Sequence, residues 1–145
     1  MVFSRDFPQY WRKAASENLS GFDSPRLTPI IDFFRGLEIL TPRWKTLLST
    51  AQLRPWKEKL KYLAIYAVER YWLQAVSDYD LLGRAKFILT ACILVNSLEG
   101  DPVTNAQLFS KEIENDQDNL DALWDAAYAD PAFTDRNLLS ILSKI

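Results

Sequence analysis

Two glutamates, Glu112 and Glu114, are the side chains best suited by type and spacing to acid–base chemistry. A pair of carboxylates can serve as general acid and general base only when both reach the same substrate atom. Residues two positions apart on an α-helix point to nearly opposite sides, because each residue turns the helix by about 100°. We therefore predict no catalytic residue from this pair.

The sequence instead favours a structural role for these carboxylates. We expect one of them to face inward to a basic partner and the other to face water. Arg70 is the candidate partner, because it lies in a largely apolar helix where a buried guanidinium would need a carboxylate. The hypothesis is that Arg70 pairs with Glu112 or Glu114, and the alternative is an Arg70 exposed to solvent.

One cysteine, Cys92, and the lack of histidine limit the chemistry further. An iron–sulfur cluster needs about four thiolates, and a structural zinc site about four cysteine or histidine ligands. We predict no metal ligands unless another chain supplies them, and no cofactor-binding residue can be assigned. Cys92 lies among apolar residues, so we expect a buried hydrophobe in a reducing compartment, with the cytoplasm as the default.

The elements that position these side chains are predicted to be helices. Glycine is scarce, with four in 145 residues, and no stretch alternates apolar and polar residues in the way of a strand. The length and the 48% hydrophobic content fit one globular domain, residues 1–145. We predict an all-α fold, a single orthogonal or antiparallel bundle of seven or eight helices.

Capping residues and prolines predict where the helices begin and end. In the first half of the chain, the predicted helices cover residues 5–18 and 29–40, a third begins at Thr41-Pro42, and a fourth runs from Arg54-Pro55 to about residue 76. In the second half, a helix of residues 81–98 follows Asp80, the next begins at Asp101-Pro102 or Thr104, another runs from Asp118 to Ala129, and a short last helix follows Thr134. The helix that ends near residue 76 has two apolar stripes and is predicted to lie at the centre. Its successor should pack antiparallel to it, because the connection is short.

Composition also limits location and partners. The N-terminal residues lack the continuous apolar core of a signal peptide, and the longest apolar run, residues 87–95, is about half of the ~20 residues that span a bilayer. Lys and Arg outnumber Asp and Glu by ten to six in residues 1–60, and are outnumbered three to nine in residues 101–145. The net charge of −2 does not favour nucleic acid. We expect a cytoplasmic chain without membrane or nucleic-acid contacts.

Residues 109–123, FSKEIENDQDNLDAL, resemble a motif near the C-terminus of the flagellin lysine-N-methylase family. The family motif reads roughly as an aromatic residue, Ser-Arg-Glu-Ile-Glu-His, a few polar residues and Asn-Leu-x-x-Leu. Its positions here include Ser110, Lys111, Glu112, Ile113, Glu114 and Asn119. Lys111 stands where arginine is usual, and Asn115 where histidine is usual. Residues 31–48 and 62–87 also resemble family segments, so the resemblance covers most of the chain from about residue 27.

The resemblance implies a link to methylation chemistry. Family members use S-adenosylmethionine to methylate lysine side chains of flagellin, and their cysteine-rich segment precedes the region matched here. That segment has no counterpart in this chain, so S-adenosylmethionine and an iron–sulfur cluster are implied only for a full-length parent. The chain resembles the C-terminal helical part of such an enzyme, as a piece of a longer protein or as a shortened relative. No catalytic role is implied for the motif residues.

Two classes of function follow from this resemblance. In the first, the chain is an accessory domain of a protein lysine methyltransferase, with flagellin or the catalytic N-terminal portion as partner, and is not catalytic alone. In the second, it is a stand-alone helical protein-interaction module without enzymatic activity.

Overall fold

A computed structural model describes residues 26–145, and over that range the chain is all-α, with no strand. The described residues form seven α-helices: α1 Thr28–Gly36, α2 Pro42–Leu48, α3 Leu60–Asp78, α4 Leu81–Ser97, α5 Pro102–Phe109, α6 Gln117–Ala129 and α7 Asp135–Leu142. A π-helical turn, Ser110–Glu114, follows α5, and a 3₁₀ turn, Pro131–Phe133, follows α6. None of these helices is long and apolar enough to cross a membrane. The predicted all-α bundle is confirmed, and the predicted helix of residues 5–18 lies outside the described residues.

Helix α4 is the centre of the bundle. Most of its residues from Phe87 to Ser97 are buried, and it packs against α3, α5, α6 and α7. The prediction that α3 lies at the centre is wrong. Helix α3 buries a single stripe, and its second apolar stripe faces solvent because no other described element covers it. Helices α3 and α4 are joined by only Tyr79 and Asp80, and they pack along each other as an antiparallel pair.

Phe109, the first residue of the motif, lies within a cluster of buried aromatic rings. Its ring centroid is 6.4 Å from that of Phe34 in α1, 6.4 Å from that of Trp44 in α2 and 6.2 Å from that of Phe87 in α4. Each such pair contributes about 0.5–1.5 kcal/mol beyond the burial of its area. The motif therefore begins at a point where four helices meet.

Three predicted N-cap residues are confirmed, and each accepts a main-chain N–H three residues further along the chain. Thr41 accepts the N–H of Trp44 at 3.4 Å, Asp80 that of Gly83 at 3.1 Å, and Thr134 that of Asn137 at 3.2 Å. Of the two starts predicted for α5, Asp101 is the residue that caps the helix. The predicted cap of α6 is wrong by two residues, because Asp116 and not Asp118 accepts the first free amides of that helix.

Two predicted helix boundaries are wrong for a reason that involves distant residues. Helix α1 ends at Gly36 instead of residue 40, because the following segment is extended and binds the motif. Helix α3 begins at Leu60 instead of near Arg54. There the side chain of Asn96 accepts the N–H of Lys57 at 2.9 Å and donates to the carbonyl of Arg54 at 3.0 Å, which holds these residues out of a helix.

Candidate functional site

The motif bends into a π-helical turn directly after α5. The N–H of Asn115 donates to the carbonyl of Ser110, five residues earlier, at 2.9 Å. Single π-helical turns occur frequently at functional sites. In this turn both Glu112 and Glu114 are buried, one on each side of the segment. The expectation that one of them faces water is wrong, because the α1–α2 connection covers one side and α3 covers the other.

Glu112 holds the connection between α1 and α2. Its Oε2 accepts the main-chain N–H of Leu40 at 2.8 Å, and its Oε1 accepts the N–H and the hydroxyl of Thr41 at 2.8 and 2.6 Å. A hydrogen bond to a charged group stabilises a fold by about 1.5–3 kcal/mol. All of the hydrogen bonds of this carboxylate therefore stabilise the fold, and it makes no ion pair with Arg70.

Asn119, in the first turn of α6, binds the same connection. Its Nδ2 donates to the carbonyl of Glu38 and to the carbonyl of Glu112, each at 2.9 Å. Both hydrogens of the side-chain amide are thus used. Glu112 and Asn119 together fix the main chain of residues 38–41 against the π turn. These two motif residues act as one clamp on a segment that is distant in sequence.

Glu114 faces α3 and binds a polar cluster. Its Oε2 accepts the hydroxyl of Tyr71 and, at 3.2 Å, that of Tyr66, and it lies 3.7 Å from Nε of Arg70. Arg70 therefore lies against Glu114 and away from Glu112. Its side chain is 46% exposed and not buried as expected, and such a pair contributes little because water screens it.

The cluster also shifts two pKa values. Burial, followed by the hydrogen bond to Glu114, raises the pKa of Tyr71 far above its ordinary value. The hydrogen bond from Nη1 of Arg70 to the Tyr66 hydroxyl, 2.7 Å long, is the largest cause that raises the pKa of Arg70. Tyr71 thus remains a neutral donor to a carboxylate and is not a base.

The remaining motif residues and the cysteine present no reactive group. Ile113 is buried in the core, Lys111 is exposed, and Ser110 is half-buried at the edge of a groove. Cys92 packs beside Ala64 in the core, and burial raises the pKa of its thiol to about 12. A thiol is nucleophilic only as a thiolate, so Cys92 is not a nucleophile at neutral pH. Within residues 26–145, no three His, Cys, Asp or Glu side chains are grouped in a way that could hold a metal ion.

An open groove runs between α3 and α5, on the solvent side of Glu114. Its volume is about 360 Å³, and its lining is mostly apolar: Lys59, Leu60, Tyr62, Leu63, Tyr66, Pro102, Val103, Ala106, Gln107, Ser110 and Glu114. Sequence reasoning missed this groove because it assigned the stripe containing Tyr62 and Tyr66 to the core. Nothing in an apolar pattern of this kind distinguishes a buried stripe from one that lines a groove.

Searches against protein-family models, curated proteins and solved structures find no match to this chain. The resemblance to flagellin lysine-N-methylases therefore stays a prediction from the motif residues and the helix pattern.

Proposed function

We propose that this chain is a non-catalytic helical accessory domain of the flagellin lysine-N-methylase type. It supports S-adenosylmethionine-dependent methylation of protein lysines that is carried out by another part of the same protein or by a separate protein. The cofactor is held outside this chain, because a chain with one cysteine cannot form the cysteine cluster of the family.

The observation that best supports this proposal is that the motif carboxylate Glu112 is engaged in hydrogen bonds within the fold. A general acid or base must come within hydrogen-bonding reach of a substrate proton. Glu112 is buried, and its oxygens accept hydrogen bonds from Leu40 and Thr41. The most distinctive residues of the motif are thus explained by architecture. They hold the connection between the first two described helices against the π-helical turn and α6.

An accessory domain also needs a surface for its partner, and the end of the bundle where α3 joins α4 suits a lysine-bearing protein such as flagellin. Tyr79, Leu81 and Leu82 are exposed there, and the hydroxyl of the exposed Tyr128 donates to the carboxylate of Asp80. Exposed apolar side chains can cover the aliphatic stem of a lysine, and the carboxylate of Asp80 lies beside them. We call residues 79–82 with Tyr128 the α3–α4 corner.

Two measurements on the full chain test the proposal. Incubation with methyl-labelled S-adenosylmethionine and flagellin should give no labelled flagellin above a control without protein. Incorporation above that control would overturn the non-catalytic role. In hydrogen exchange, added flagellin should protect residues 79–82 and the region of Tyr128, and Leu82→Ser should weaken this protection. Leu40→Ser, which replaces an equally exposed leucine elsewhere, should not.

The second candidate is a stand-alone helical interaction module. It is favoured by a further apolar stripe on α3, which faces solvent. If flagellin protects no segment of the chain, the accessory role is wrong and this second function remains.

A further inference from the structure

Helix α3 carries an apolar stripe on the side opposite its buried face. Tyr62, Tyr66, Glu69, Leu73 and Val76 follow one another at spacings of four and three residues. This is the spacing of the a and d positions of a coiled coil. Tyr62 is 61% exposed, and Leu73 and Val76 are each 71% exposed. We call these five residues the solvent stripe.

We propose that the solvent stripe is a dimer interface, in which α3 packs antiparallel against α3 of a second copy of this chain. The proposal does not depend on the accessory function, and it uses a surface other than the α3–α4 corner.

The shape of the stripe is complementary to itself. In its first half, Tyr62 and Tyr66 line the groove between α3 and α5. In its second half, Leu73 and Val76 form a ridge that no described element covers. A two-fold axis midway between Tyr62 and Leu73 places the ridge of each copy in the groove of the other, with Tyr62 opposite Leu73 of the second copy. Closed symmetric dimers are built from such self-complementary surfaces.

The charges at the middle of the stripe are also complementary between the two copies. Glu69 is its one charged member, and it makes no ion pair within the described part of the chain. Arg70 beside it is half-exposed, and only two of its nitrogens face Tyr66 and Glu114, so further N–H groups remain for a carboxylate. In the antiparallel arrangement Glu69 of each copy lies within about one helical turn of Arg70 of the other. Two symmetric ion pairs result.

This pairing is what favours a second copy over the helix of a different protein. A carboxylate in the middle of an apolar seam is costly unless a cation accompanies it. The same surface supplies that cation next to the carboxylate. An unrelated apolar helix would leave Glu69 without a partner.

The oligomeric state of the full chain tests the proposal. Sedimentation or light scattering should show a concentration-dependent dimer. Leu73→Glu combined with Val76→Glu should give a monomer with unchanged helical circular dichroism, because both residues are exposed in the single chain. Leu53→Glu, which replaces an exposed leucine outside the stripe, should leave the dimer intact. Glu69→Leu should weaken the dimer, because it removes one partner of each ion pair and leaves Arg70 of the other copy without its carboxylate.

Cross-linking tests the antiparallel orientation. Tyr62→Cys mixed with Leu73→Cys should form a disulfide between the two variants, and Leu73→Cys alone should form little. Cys92 does not compete because it is buried. A chain that is monomeric at all accessible concentrations would overturn the proposal, as would efficient disulfide formation by Leu73→Cys alone. Protection of α3 by flagellin in a monomeric chain would assign the stripe to flagellin and also overturn it.

Discussion

Glu112 and Thr41 lie 71 residues apart in the sequence and are joined by two hydrogen bonds, one from the Thr41 main-chain N–H and one from its hydroxyl. Thr41 is also the N-cap of α2. One carboxylate therefore fixes both the path of the chain after α1 and the point where α2 begins. The π-helical turn matters because it carries this carboxylate into the interior.

Replacement of Glu112 by glutamine should lower the free energy of unfolding by about 3 kcal/mol. The neutral side chain has a single acceptor oxygen, and its NH₂ group would face a main-chain N–H of Leu40 or Thr41. Urea unfolding followed by circular dichroism measures the change. Glu99→Gln, at an exposed position, is the matched control and should stay within about 0.5 kcal/mol of the original chain. An equally small effect for Glu112→Gln would contradict the clamp.

Asn119→Asp should also destabilise the chain, by about 2–3 kcal/mol. The new carboxylate would face the carbonyls of Glu38 and Glu112, which now accept hydrogen bonds from the amide. Asn115→Asp makes the same chemical change at an exposed position of the same segment and serves as the control. The difference between the two unfolding midpoints in urea isolates the two hydrogen bonds. Equal midpoints would show that the amide is not required.

The helix starts that could be predicted from the sequence are those that depend on neighbouring residues. Thr41, Asp80 and Thr134 each cap a helix whose first amides are three residues away, so the local pattern contains the whole signal. The end of α1 and the start of α3 could not be predicted in this way. They are set by Glu112 and Asn96, whose partners are more than thirty residues distant in the chain.

The candidate site shows the same division. The sequence predicted correctly that Glu112 and Glu114 point apart. Their burial could not be predicted, because the elements that cover them come from the α1–α2 connection and from α3. The outer stripe of α3 was misread for a related reason. An apolar stripe predicts a contact, but it does not predict whether the contact is within the chain or with another molecule.

Stability should fall at alkaline pH through Tyr71. The pKa of this buried phenol is raised in the folded chain above its usual value of 10.0, first by burial and then by its hydrogen bond to Glu114. The unfolded chain releases the proton near that usual value, whereas the folded chain keeps it. The contribution of Tyr71 is therefore fully present below about pH 10, and it is lost above by about 1.4 kcal/mol per pH unit.

Urea unfolding at several pH values from about 9 to about 11 measures this slope for the original chain and for Tyr71→Phe. The variant should be less stable at neutral pH by about 1–3 kcal/mol, because Glu114 loses a donor. Above pH 10 its stability should fall less steeply than that of the original chain. Parallel slopes would mean that Tyr71 ionises as easily in the folded chain as in the unfolded one.

Two helical glycines should respond in opposite ways to alanine. Alanine is favoured over glycine within a helix by up to about 1 kcal/mol. A Cβ on Gly36 would meet nothing within 4 Å, so Gly36→Ala should stabilise the chain by about 0.5 kcal/mol. A Cβ on Gly83 would clash with Oδ2 of Asp80, so Gly83→Ala must displace the carboxylate that caps α4. The loss of this cap and of the hydrogen bond from Tyr128 should outweigh the gain and destabilise the chain by about 1 kcal/mol. Thermal unfolding of the two variants and the original chain measures both changes: the unfolding temperature should rise for Gly36→Ala and fall for Gly83→Ala. A stabilised Gly83→Ala would show that Asp80 moves aside without loss and that α4 does not depend on its cap.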